Sequence, residues 1–232
     1  MQEIGKKRKS IELKARFREL VFGVQDGALT TVGLLAGVAG ATSDQRIIVI
    51  VGLTEMFAGA VSMGMGSFLS SKAEKEIFDR ELREEMDFAE DEPYLANETL
   101  MLALEQEGLS RQASYQVVKH LGQERSVFVR TFSEKVLGLG SADITKPLQA
   151  ALVMAMAYII GALLPLLPYF VSVGNVPLVI SVAIAAFILS SVGGFKGYLA
   201  GRSKVRSSAE FLAFALSAAG LGYGIGRLIE AV

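Results

Sequence analysis

The sequence contains no cysteine and one histidine, His120, among 232 residues. Without thiols there are no disulfides and no thiolate metal sites, and the redox compartment stays undecided. A single imidazole cannot build a histidine-rich zinc site. Any metal must therefore be held by Asp and Glu oxygens, with Met sulfur as the soft option. There is no GxxxxGK(S/T) loop, no HExxH, and no Ser/His/Asp set beyond what His120 could join. A nucleotide-driven pump within this chain is not expected, nor an enzyme, nor a nucleic-acid partner. No cleavable signal peptide is expected either, because the basic start runs into a glycine-rich apolar stretch without a small-residue cleavage site. Low-complexity tracts and clear internal repeats are also missing.

What the chain has in abundance is apolar surface in blocks. Hydrophobic residues make up 51% and charged residues 20%, yet mean hydropathy is +0.43. Such segregation is expected where a bilayer is one solvent and water the other. Five segments are long enough to cross a hydrocarbon core of roughly 30 Å: Leu20–Ala41, Ile47–Ser71, Leu148–Val173, Val176–Leu199 and Ala209–Ile229. The short turn Thr42–Arg46 makes the first two a helical hairpin. Pro165 and Pro168 predict a kink or early helix end in the third, and Pro177 suits the start of the fourth. The expected fold class is all-α: a polytopic membrane protein with five transmembrane helices and a cytosolic helical insertion between helices 2 and 3.

Lys and Arg fix the expected orientation. All of them except Arg46 and Arg227 fall on one side of a five-span chain, which places the N-terminus and the long 72–147 loop in the cytoplasm. Residues 1–19 form a basic amphipathic segment, 20–71 carry helices 1 and 2, and 148–232 carry helices 3 to 5. In the loop, Ile77, Leu82 and Met86, then Leu100 and Leu104, then Val117, Val118 and Leu121 recur at helical spacing. Three or four short helices are predicted. The first continues the second membrane helix, and Ser110 caps a later one.

Glu55 is the most informative residue. It lies eight positions inside an apolar run, where a carboxylate costs about 2.5–3.5 kcal/mol on insertion scales. It is read as a cation or proton site, or as a carboxyl hydrogen-bonded to Thr54 or to a neighbouring helix. Asp26, one turn into the first segment, is either its counterpart or an interfacial residue that caps or kinks the helix. Met63 lies eight residues after Glu55, about 80° around and 12 Å along the helix. Its thioether suits Fe(II) or Cu(I), although packing is the ordinary use of such a residue. Small residues at Gly33, Gly37, Gly52, Gly59 and Gly66 suggest tight helix pairing or a dimer face. The loop holds sixteen acids. Glu81, Glu84 and Glu85 share a helix face, either as a multi-carboxylate metal site or as a solvated acidic surface.

Several stretches carry a family resemblance. Phe22-Gly-Val-Gln-Asp26-Gly27-Ala-Leu-Thr-Thr31, Gly59-Ala-Val-Ser62-Met63-Gly64-Met65-Gly66, Pro147-Leu-Gln-Ala-Ala-Leu152 and Gly161-Ala-Leu-Leu-Pro165 resemble the vacuolar iron transporter family of the VIT/CCC1 type, from Phe17 onward. The resemblance implies five membrane helices and a homodimer with the ion path between the two first helices. It implies export of Fe²⁺, and also Mn²⁺, from the cytosol in exchange for protons. The ion is then cargo, and no permanently bound cofactor is expected. Asp26, Glu55 and Met63 match the family's pathway positions.

The 72–147 loop would be a glutamate-rich, metal-gathering cytosolic domain, with Glu81, Glu84, Glu85 and Glu98 most similar to its ligands. Here the sequence departs from the pattern. Ser67 stands where Glu is frequent, Leu95 and Ala96 where acids are common. The stretch Thr131–Leu139 lacks a Met pair, with Val136 in place of the Glu before Leu-Gly-Leu. Glu92 or Glu134 would complete the site instead. The implied setting is a cell membrane if prokaryotic and a vacuolar membrane if eukaryotic. A membrane-anchored metal binder or sensor without transport is the alternative, and a carrier for another cation is a third reading.

Overall fold

The computed structural model describes residues 2–136, 146–171 and 176–231, with side-chain surroundings from Phe17 onward, Leu199 excepted. Among the described residues every regular element is a helix: α1 (Gln2–Ala41), α2 (Gln45–Asp91), α3 (Pro93–Gln106), α4 (Arg111–Leu121), α5 (Arg125–Lys135), α6 (Pro147–Leu166), α7 (Pro168–Val171), α8 (Val176–Leu199) and α9 (Lys204–Glu230). Five are long and apolar enough to cross a membrane: α1 from Phe17, α2, α6, α8 to Tyr198, and α9. The chain divides into two compact units, one of residues 1–68 with 147–232, the other of residues 69–146.

Local chemistry explains the element ends. Between α1 and α2 the Thr42 hydroxyl accepts from the Asp44 N–H at 3.1 Å, and Asp44 accepts from the Arg46 N–H at 2.9 Å. These side chains satisfy donors that the first turn of α2 leaves open. The expected break in the third span falls after Leu166: Pro165 is accommodated inside α6, and Pro168, with no N–H to donate, opens α7. Ser172 and Val173, the expected end of that span, lie outside the described residues. Gly201, at φ +64°, ends α8, and Ser203 caps α9 through the Arg206 N–H. That cap starts α9 five residues before the apolar run begins at Ala209.

In the first unit α1 is central, packed along α6, α9 and α8. Backbones approach closely where glycines face one another. A Cβ on Gly222 or Gly226 of α9 would run into the carbonyl oxygens of Gly33 and Gly37, and one on Gly27 into the Tyr158 carbonyl of α6. The Gly33–Gly37 pattern is thus consumed by helix pairing within the chain. Beside these contacts lie small apolar clusters. Ala28, Leu189, Phe211 and Ala215 form one; Leu35, Ile48, Leu166 and Tyr169 another; Met56, Ala60, Tyr158 and Ala162 a third.

The second unit has its own core. Ala96, Leu100, Leu104, Val118, Phe128, Val129 and Phe132 are buried together, with Leu82, Phe88 and Val136 packed against them. Ser110 caps α4 as expected, accepting from the Ala113 N–H at 3.3 Å. The first helix of this region is the continuation of α2, which runs to Asp91 and stops before Pro93. Two positions at which the resemblance implied acids have a packing role instead: Ala96 is buried in the core, where a carboxylate would lack a partner, and half-buried Val136 packs against it. Leu95 is exposed.

Gly226→Val should push α9 away from α1, with a loss of about 1–3 kcal/mol from overpacking. Gly224, which has nothing within 4 Å of its Cβ position, should tolerate Ala with little change. Thermal unfolding of the purified protein in detergent measures both.

Candidate functional site

Glu55 sits on α2 within the apolar span and is half-buried. Both of its carboxylate oxygens accept hydrogen bonds. Thr31 of α1 donates to Oε2 at 2.8 Å, and the Tyr158 hydroxyl of α6 donates to Oε1. The two donors are themselves sealed in, Thr31 at 0% and Tyr158 at 2% exposure. A carboxylate drawn into a low-dielectric region needs such donors, since each unmet lone pair there is costly. Thr54 is not its partner. Adjacent residues diverge by about 100° around a helix, and Thr54 is exposed.

Tyr158 ties the candidate residues together. Its ring lies in the cluster with Met56, Ala60 and Ala162, against which Met63 packs. The ring fits because residue 59 is glycine: a Cβ there would overlap the phenol. On the α1 side, Thr30 lies within hydrogen-bonding reach of both Asp26 and Tyr158. Asp26 is half-buried on a face of α1 that also carries exposed Thr30 and Phe22, the latter 47% exposed. Two acids, one from α1 and one from α2, thus lie about one tyrosine of α6, and Met63 packs against the cluster that holds its ring. Chemically, the set offers hard oxygen ligands, one soft sulfur, and groups able to exchange protons.

Three polar residues of this region escaped the sequence reading. Thr31 and Tyr158 are separated from Glu55 by 24 and 103 positions, and only the three-dimensional crossing of helices brings them together. Tyr158 is the single tyrosine in the α6 run, which was the available signal. The third is Glu19, 7% exposed, with Oε2 buried and unpartnered and Oε1 3.7 Å from Arg18. It precedes Asp26 by two helical turns, on nearly the same side of α1. It went unnoticed because it abuts the basic tail.

In the second unit, Glu81, Glu84 and Glu85 lie within a five-residue stretch of α2. Arg80 bonds both Glu81 and Glu84 at 3.2 Å. Burial, followed by the charges of Glu81 and Glu84, pushes the Glu85 carboxyl above the usual carboxylate range, and its Oε2 is buried without a partner. Glu92 stands at the N-cap of α3 without capping it. Glu92, Glu98 and Glu134 are exposed. Among the described residues no three His, Asp or Glu side chains converge closely enough to hold a metal ion. Leu137–Leu139 of the family pattern lie outside the described residues.

A sequence profile of the VIT family matches residues 17–227. The chain belongs to the VIT family. Similar proteins include a vacuolar iron transporter of Centaurea cyanus, 30% identical over 211 residues, covering 90% of this chain and 86% of that protein. Vacuolar iron transporter 1 of Arabidopsis thaliana is 29% identical over 214 residues, 92% of this chain and 86% of that one. Protein CCC1 of Saccharomyces cerevisiae is 27% identical over 155 residues, covering 66% and 48%. The VIT match covers four of the candidate membrane helices, all but the last three residues of the fifth, and the 69–146 unit, so both candidate regions lie within it.

A carboxyl whose folded-state titration is raised favours the protonated form, so Glu85 opposes folding above its own titration range and not below it. Glu85→Gln should therefore raise the melting temperature at pH 7. The gain should vanish as the pH falls below the ordinary carboxylate range. Thermal scans at several pH values check the direction.

Proposed function

We propose that this chain carries divalent metal ions, Fe²⁺ foremost and Mn²⁺ as well, out of the cytosol in exchange for protons. The observation that carries this reading is the pair of acids inside apolar spans, Asp26 and Glu55, linked through Tyr158 beside the Met63 thioether. Carboxylates replace the hydration shell of a divalent cation and accept protons once it leaves, while sulfur biases the set toward softer iron. The relatives named as vacuolar iron transporters support the choice of cargo.

The active form we infer is a homodimer in the lipid bilayer. Asp26 shares an uncovered face of α1 with Phe22 and Thr30. A second copy laid on that face would bring two aspartates to one axis and withdraw them from lipid, which charged groups avoid. The Lys and Arg distribution supports a cytoplasmic N-terminus and a cytoplasmic 69–146 unit. There Glu81, Glu84, Glu85, Glu92, Glu98 and Glu134 would gather ions ahead of the membrane path. The membrane would be vacuolar in a eukaryotic cell and the cell membrane in a prokaryote.

The competing reading is a membrane-anchored metal binder or sensor, favoured by the separate core of the second unit. Reconstitution separates the two. Proteoliposomes with an imposed pH gradient should take up Fe²⁺, and Asp26→Ala and Glu55→Ala should each lower the rate about tenfold or more. Met63→Ala should lower Fe²⁺ flux more than Mn²⁺ flux. Metal binding without uptake would establish the sensor instead, and wild-type rates in all three variants would remove these residues from the path. Competition by Zn²⁺ and Co²⁺ in the same assay identifies a carrier for another cation.

A further inference from the structure

We propose that Tyr158 is a positioning residue for Glu55, setting the affinity of the membrane site for its cation through a single hydroxyl. The proposal rests on the reading of Glu55 as a cation ligand. It extends that reading to a residue of a different helix that touches no ion itself.

The geometry is specific. Glu55 is an unbranched side chain with three rotatable bonds, and α2 alone does not fix where its carboxylate points. Two hydroxyls from two other helices do. Thr31 takes Oε2 from the α1 side and Tyr158 takes Oε1 from the α6 side. Each carboxylate oxygen retains a further lone pair, so a ligand held in this way remains available to a cation while its plane is fixed.

The hydroxyl of Tyr158 cannot drift, because its ring is walled by Met56, Ala60 and Ala162. The Tyr158 backbone is pinned as well. Its carbonyl lies against the position that a Cβ on Gly27 would take, next to Asp26. The absent side chain of Gly59 supplies the slot in which the phenol lies. Glycines 27 and 59, both within the motifs that mark this chain, therefore bound the same tyrosine on two sides. A ring used only for packing would need neither a hydroxyl nor a carboxylate in front of it. Without the hydroxyl the ligand regains rotational freedom, and ordering it again weakens cation binding.

Tyr158→Phe keeps the ring and removes only the donor. In proteoliposomes it should raise the KM for Fe²⁺ about tenfold, the effect of losing one hydrogen bond to a charged group, while kcat at saturating metal changes far less. The deciding measurement does not depend on transport: equilibrium Mn²⁺ binding to the full-length protein in lipid nanodiscs. The Glu55-dependent component is the difference between wild type and Glu55→Gln. Tyr158→Phe should weaken that component about tenfold. In the Glu55→Gln background it should change nothing, because the carboxylate ligand that it positions is already gone. Equal losses from Tyr158→Phe in both backgrounds, or an unchanged Glu55-dependent component, would overturn the proposal and leave the tyrosine as packing. Absence of flux in wild type, with the Mn²⁺ cycle as expected, would instead remove the transport reading and keep the positioning role.

Discussion

An ionisable side chain in an apolar helix must be met by something, and the first unit is organised around that requirement at Glu55. The carboxylate is met from two other helices at once, by Thr31 and Tyr158. Three helices therefore have to cross within a hydrogen bond of one point. The close backbone contacts at Gly27 and the ring slot at Gly59 follow from this. Larger residues at either position would move α1 or α6 away and strand the acid. Membrane helices gain little from burying apolar surface against one another, so a polar contact of this kind weighs more in choosing their arrangement than it would in water.

The five spans were legible because hydropathy and length report directly on the bilayer. The hairpin turn, the Ser110 cap and the continuation of α2 were legible for a related reason, since each depends on residues adjacent in sequence. What could not be read were interactions across the fold. Glu55 announced itself by being out of place, but Thr31 and Tyr158 look like ordinary residues of apolar runs. Of the two partners the sequence offered, Thr54 or a neighbouring helix, the structure takes the second, but which residues of those helices could not be read. Glu19 was hidden differently, by lying where a basic tail meets the membrane span. Gly33 and Gly37 could be seen as a close-approach surface. That α9 was the helix to use it could not.

The second unit shows the limit of reading function from family pattern alone. Ala96 and Val136 stand where the resemblance implied acids, and the first is buried in the core while the second packs against it. Arg80 draws Glu81 and Glu84 to itself. Arg125 pulls the Glu90 carboxyl below its usual range, and Lys135 bonds Glu107 at 2.7 Å. A cation arriving at the acidic face of α2 would compete with a guanidinium already present there, which lowers net affinity and makes binding sensitive to ionic strength.

The contrast between two kinds of helix seam has a mechanical consequence. Where α1 meets α9 and α6, main chain lies against main chain at Gly27, Gly33 and Gly37, and at those points there is no rotamer to rearrange. Along α2, by comparison, the glycines face mostly side-chain atoms: the methyls of Leu35 and Leu166 at Gly52, the phenol at Gly59, the Ala155 methyl at Gly64. Side chains repack on far shorter timescales than backbones slide. At Gly27, Gly33 and Gly37, α1 moves against α6 or α9 only if backbone moves, whereas the contact at Gly52 can adjust through the rotamers of Leu35 and Leu166. The softer seam is then the one beside the helix that bears Glu55 and Met63, with Glu55 itself held across it by Thr31 and Tyr158.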